Sequence, residues 1–374
     1  MNSRQRIQAA FSKEGTSEIP AVLCYEGIYI GDHWKQLTSC PWWYASETDL
    51  DRQVMWRKEV YANIGQDWFN LPFCPTREER ESVSFHVRQN GVFRVTRGTM
   101  NDVMLDEPTG DTRGFTQPWD NPQGPVTPED IDSLFPLNPL PDDIKIDGRK
   151  DLADLLLGGI CADLCPLFHI DSPLQSCVSI WGYSGFMVKL IDDPSLVKYA
   201  CERIVKLQER RIREIKALGA EVVWIEECYL DMVSPDMYKD FNAPYIQSVV
   251  DMIRAAGMKS VYYHTGDPAR KLGQLLAIGA DAVSFEEGKK GFKIDILDIV
   301  DAVQGNCTVL GNLDATTFLP VCTENELKAE IARHIAAGRR NGSRFVMSMG
   351  SPVTPGTPAA KVKLYCDLVH SLGQ

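Results

Sequence analysis

The 374-residue chain carries no glycine-rich phosphate loop: neither G-x-G-x-x-G nor G-x-x-x-x-G-K occurs in it. A nucleotide-binding fold therefore has no support from its motifs. No apolar run approaches the roughly 18 residues of a membrane span, and residues 1–6 lead into no signal-peptide core. Positive charge is short, with 39 lysines and arginines against 51 acids and a formal net charge of −12. That balance argues against a nucleic-acid or anionic-membrane partner, since both demand basic patches, and disfavours a polyanionic small substrate unless arginines are focused locally. The eleven cysteines are scattered and form no C-x-x-C pair. With no redox motif, zinc ribbon or paired framework, a reducing, cytoplasmic setting is expected.

What is present is an ordinary globular composition, 44% hydrophobic and 24% charged. Strand starts near 222, 260, 282, 307 and 345 alternate with helical patterns. This predicts parallel packing and, at this length, a (β/α)8 TIM barrel spanning residues 1–374 as one domain, with a doubly wound open sheet as the alternative. Helices are expected over 3–11, capped by Ser3, and over 48–64, 151–157, 195–218 and 359–372. Another is expected from Pro235 to about 256, capped by Ser234. Residues 19–25 and 67–73 read as strands, and 164–170 and 176–181 as apolar stretches. Residues 84–87 and 92–96 flank a Gln89-Asn90-Gly91 turn, a hairpin signal that does not belong in a parallel barrel. It is read as an insertion over 82–147, completed by an extended proline- and acid-rich connection over 107–147.

Three successive strands end in chemistry-bearing residues: Glu226-Glu227, then His264, then Glu286-Glu287. In a barrel those ends face one another, and two carboxylates with an imidazole suit a divalent metal or coupled acid–base work. Side chains alternate along a strand, so at most one glutamate of each pair points inward, and the other caps a helix or faces water. His264 is alternatively a structural histidine bonded to a carbonyl. Asn312 and Asp314 end the strand near 307 and either shape its loop or touch substrate. Residues 350–358, with three prolines and two glycines, read as a rigid loop bordering the pocket. Tyr29, Trp34, Trp42, Trp43 and Tyr44 are candidates for pocket lining or for core.

Several blocks in order carry a family resemblance: Ala220 through Glu226, Val233-Ser234-Pro235 with Pro244-Tyr245, Tyr263 through Asp267, Ile278 through Ala282, Leu310 through Asp314, and Met349 through Pro352 with Pro355 and Pro358. Together they resemble the uroporphyrinogen decarboxylase superfamily, a barrel family that includes the haem-pathway decarboxylase and corrinoid-protein methyltransferases. The resemblance covers roughly residues 170–374. The decarboxylase's amino-terminal arginines are missing: Tyr25 through Asp32 contain none and include two acids. The resemblance therefore leans to the methyltransferases. There, zinc is held by a His-x-Cys-Gly motif and a later cysteine; here Gly266 keeps the glycine, while Tyr263, Thr265 and Ser351 occupy the ligand positions and His264 is displaced by one.

What the resemblance implies is a methyltransferase moving a methyl group between a small methoxylated or methylated substrate and a corrinoid protein that carries cobalamin. A decarboxylase or other lyase, or a non-catalytic binding relative, are the alternatives. Zinc would then be held by carboxylate and imidazole, from Glu226 or Glu227, His264, and Glu286 or Glu287. The set carried forward is Glu227, His264 and Glu287 for metal, Glu227 and His264 for catalysis, and Tyr25, Tyr263, Asn312, Asp314 and Ser351 for substrate. A homodimer is also expected.

Overall fold

The computed structural model describes residues 1–99, 102–108, 124–137, 144–228, 230–288 and 291–374. In chain order its strands are β1 (Trp68–Asn70), β2 (Val83–Arg88), β3 (Gly91–Thr96), β4 (Val103–Leu105), β5 (Cys165–Asp171), β6 (Val222–Glu227), β7 (Lys259–His264), β8 (Ala282–Phe285), β9 (Thr308–Leu310) and β10 (Phe345–Val346). Seven form one curled parallel sheet in the order β1-β5-β6-β7-β8-β9-β10, with helices in the connections. Strands buried on both faces read as continuous apolar runs, as Val222 through Ile225 do.

The sheet is closed by a stave too short to count as a strand. Met347 N–H donates to Pro20 O and Val22 N–H to Met347 O, both at 2.9 Å, while Asp67 N–H donates to Ala21 O at 2.8 Å. Residues 20–22 thus lie between the ends of β10 and β1 as the eighth stave of a (β/α)8 barrel. The strand expected over 19–25 is shorter than the apolar run suggests, because Tyr25 is already the cap of a helix, Glu26–Asp32. Asp67 fixes this closure. Its fully buried carboxylate accepts from Ala21 N–H (2.6 Å), Arg6 Nη2 (2.6 Å) and His370 Nε2 (2.7 Å), drawing the first helix, the first stave and the last helix onto β1.

β2, β3 and β4 form a separate antiparallel sheet, with Val83 opposite Thr96 and Arg88 opposite Gly91. The expected hairpin insertion is therefore present, and part of the extended connection after it lies outside the described residues. Residues 176–181 belong to the helix Pro173–Asp192, which kinks at Gly182, where φ is +72°. The helix expected from Pro235 to 256 is two, Pro235–Phe241 and Ala243–Ala255, because Pro244 supplies no N–H to continue the first. The first helix is capped by Asn2 rather than Ser3, with Gln5 completing a capping box. Among the described residues, no helix is long and apolar enough to cross a membrane.

Burial pushes the Asp67 carboxyl up, but His370, Ser3 and Arg6 outweigh it and hold the group below its ordinary range. Its contribution is therefore complete above about pH 4 and lost as pH falls through the native value. Asp67→Ala is expected to cost about 3 kcal/mol at pH 7 by taking their acceptor from the buried Ala21 N–H and from His370 and one of its partners from Arg6. In urea unfolding, the gap between wild type and variant should narrow below pH 4.

Candidate functional site

Strand parity decides which side chains meet. Register runs without a bulge from Val222 opposite Lys259 to Glu227 opposite His264, and Asp171 lies opposite Glu226 on the other side. Tyr263 packs inside the barrel, 5.0 Å from the Trp224 ring and edge-on to Tyr25 at 5.7 Å, and its hydroxyl donates to Gly350 O at 2.8 Å. Glu226, beside Tyr263 in register, shares that inner face. Glu227, His264 and Tyr262 take the opposite, helix-facing side.

At the mouth, Tyr25 OH donates to Glu226 Oε1 at 3.1 Å and Cys228 Sγ donates to the same oxygen at 3.3 Å. Burial pushes the Glu226 carboxyl above its ordinary value; the hydrogen bonds from Cys228 and Tyr25 offset part of this, and the charge of Asp171 adds to it. Burial, with Glu226 nearby, also drives the Cys228 thiol well up, and Tyr25 rises likewise. Both stay protonated donors at neutral pH. The arrangement is a carboxyl poised to hold or release one proton, steadied by two neutral groups.

Glu227 does something different. It is fully buried between the barrel wall and the helices, accepting from Ser172 Oγ (2.6 Å), Asn242 Nδ2 (2.6 Å) and Tyr262 OH (3.2 Å). Tyr262 is in turn 2.9 Å from the Tyr238 hydroxyl. Burial pushes the Glu227 carboxyl up to about 7, against the lowering effect of those bonds and of Lys271. His264 is also fully buried. Glu286 Oε2 accepts Gly266 N–H at 2.8 Å, and Glu287 Oε1 accepts from Thr316 Oγ1 at 3.1 Å. Gly266, at φ +80°, lies so close to Asp231 that a Cβ would approach within 2.1 Å, which accounts for glycine there.

Of the residues expected to act together, Tyr25 and Tyr263 do meet at the mouth. Asp314 caps its own loop, accepting Thr316 N–H (2.8 Å) and Thr317 N–H (2.7 Å); Asn312 and Ser351 are buried. Glu227, His264 and Glu287 do not assemble a metal site, since among the described residues no three His, Cys, Asp or Glu side chains converge as one. The unbroken register is the reason: it turns Glu227 and His264 away from the mouth. Tyr29 and Trp34 are core.

Sequence reasoning missed the cavity itself. About 440 Å3 opens at the carboxyl ends of β1 and β5, and its wall includes Tyr25, Asn70, Phe73, Phe168, His169 and Arg211. His169 lies against Trp224 (5.4 Å, 30°), and burial lowers its imidazole to about 4, so it is neutral at pH 7. Asn70 and His169 sit at strand ends just as His264 does, and that position was the available signal.

Comparison with known proteins bears on the family and the fold. The family profile described as uroporphyrinogen decarboxylase (URO-D) matches residues 121–372, more than half of the chain. A uroporphyrinogen decarboxylase from Anaeromyxobacter sp. (strain Fw109-5) is 27% identical over 191 residues, covering 51% of this chain and 52% of that protein. One from Thermodesulfovibrio yellowstonii is 26% identical over 165 residues, covering 44% and 45%. The chain thus spans about half the length of the curated relatives it matches. Among solved structures, a methyltransferase from Methanosarcina mazei superposes with a TM-score of 0.67 over 99% of both chains at 16% identity, a likeness of fold.

The Glu227 network carries a pH signature. An acid raised from 4.5 to about 7 keeps its proton in the native state after the unfolded chain has lost it. Stability should therefore fall as pH rises through that window, by about 3 kcal/mol for this group. Glu26, also raised to about 7 by burial, adds a slope of the same sign. Chemical denaturation of Glu227→Gln between pH 5 and 8 is expected to show roughly half the wild-type dependence; an unchanged slope would exclude Glu227 as its source.

Proposed function

Because the chain belongs to the uroporphyrinogen decarboxylase family, we propose that it is an enzyme of the methyltransferase type, moving a methyl group between a small methoxylated or methylated substrate and a corrinoid protein. The full-length fold likeness to the Methanosarcina methyltransferase supports that branch. The observation that carries the reading is the Glu226 carboxyl, bonded by Cys228 and by Tyr25, the residue that also lines an apolar cavity of about 440 Å3. That volume lies at the small end of ligand pockets, suited to a small molecule.

An alkyl–oxygen bond resists cleavage because alkoxide and phenoxide leave poorly. Glu226, kept toward its neutral form by burial, donates its proton to the substrate oxygen as the methyl–oxygen bond breaks and the electron pair stays on oxygen. Tyr25 fixes the carboxyl's orientation and then stabilises the carboxylate left behind. The cobalt of a partner's corrinoid, when bound, supplies the nucleophile that takes the methyl group. No step is assigned to zinc, because the three residues expected to hold it do not converge. A porphyrinogen with many carboxylates would meet a single wall cation among the described residues, Arg211, so decarboxylation is the weaker reading.

The test is methyl transfer to cob(I)alamin from a panel of methyl ethers, followed by the absorbance of methylcobalamin. Glu226→Gln is expected to slow transfer by about 100-fold or more, and Glu227→Gln to leave it within a few-fold. Release of carbon dioxide from a porphyrinogen, with no methyl transfer from any ether, would overturn the proposal.

A further inference from the structure

Arg211, on the helix Pro194–Leu218, is the one cation in the cavity wall among the described residues, and the scheme above gives it no task. Around it the wall is apolar and partly aromatic, with Ile28, Leu71, Pro72, Phe73 and Phe168. The guanidinium lies over two of those rings, 4.4 Å from the Phe73 centroid and 5.0 Å from that of Phe168. Such stacking uses the flat face of the cation and leaves the N–H groups at its edge to make hydrogen bonds. The side chain keeps 42% of its surface accessible and borders the cavity, so it is open to a ligand.

Its charge is only partly met by the protein. Glu214 is its ion-pair partner, with Oε2 at 3.5 Å, but the same carboxylate serves Arg210 at 3.0 Å and Arg149 at 3.4 Å through Oε1. Asp147 pairs with Arg149 at 2.8 Å. Three guanidiniums thus face two carboxylates, and Arg211 is the one of the three that borders the cavity. Burial and the charge of Arg149 work against the Arg211 cation, with Glu214 opposing them. In a chain of net charge −12 this is a local focus of positive charge that an entering anion would complete.

The anion's shape follows from the donor. A guanidinium offers a planar fork of N–H groups, which matches a carboxylate with two parallel hydrogen bonds. One wall cation suits one carboxylate, and the apolar walls suit an apolar or aromatic body. We propose that Arg211 anchors the ligand of this cavity through a carboxylate, so that the substrate class is a small monocarboxylate with an apolar or aromatic body. Resting on the methyl-transfer reading only for the choice of methoxylated probes, the assignment is tested by binding alone.

Isothermal titration of the full chain at pH 7 would compare 4-methoxybenzoate with 4-methoxybenzamide, which has nearly the same shape and no charge. The carboxylate is expected to bind about tenfold or more tighter, as a charge-assisted pair is worth that much. Arg211→Gln keeps a donor but removes the charge and should bring the two ligands to within about twofold of each other. Arg211→Lys keeps the charge without the fork and should leave an intermediate preference. Equal binding of the two by the wild type would overturn the proposal, as would binding of neither, or a carboxylate preference that survives Arg211→Gln. The wild-type outcomes decide even where a variant fails to fold. Carboxylate-selective binding without methyl transfer would keep the anchor and discard the activity.

Discussion

One buried carboxylate holds the barrel shut. A parallel sheet of seven strands leaves two edges, and each presents unpaired backbone groups unless something bridges them. Here the bridge is three residues, 20–22, paired to Met347 on one side and to Asp67 on the other. So short a stave has little pairing of its own, and Asp67 compensates by accepting the Ala21 N–H while holding Arg6 and His370. The consequence reaches the opposite end of the barrel, because the same segment leads directly into Tyr25. Closure at Asp67 and the position of the Tyr25 hydroxyl over Glu226 are two ends of one short piece of chain.

The site depends on a second constraint, the two-residue period of β6 and β7. Glu226 and Glu227 differ by one position and play unlike parts: one faces the mouth beside Tyr25 and Cys228, the other is enclosed by Ser172, Asn242 and Tyr262. Burial raises both carboxyls, yet only the first is next to the cavity wall through Tyr25. The second joins the strand to the helix layer, where Asn242 lies at the break between two helices. A kink enforced by Pro244 thus delivers an amide to a buried acid.

Tyr263, which stands where the resemblance would put a histidine ligand, lies inside the barrel and donates its hydroxyl to Gly350 O. Gly350 in turn stands so near Glu287 that a Cβ would come within 2.5 Å of its carboxylate.

From the sequence alone, the barrel, its inserted hairpin and the closing helix were legible, because each is a local periodicity: apolar runs near 222, 260 and 282, an alternation around Asn90-Gly91, a helical stripe over 359–372. The family was legible too, as ordered blocks of strand ends and turns. What no local pattern encodes is the phase of a strand against its neighbours. Whether Glu226 or Glu227 faces the mouth, and whether His264 can reach it, depend on register set by pairing across dozens of residues. The cavity was equally hidden, since Tyr25, Asn70 and His169 lie on three staves far apart in the chain. Sequence determined which staves exist and what stands at their ends; closure by Asp67 and unbroken register decided which of those ends meet.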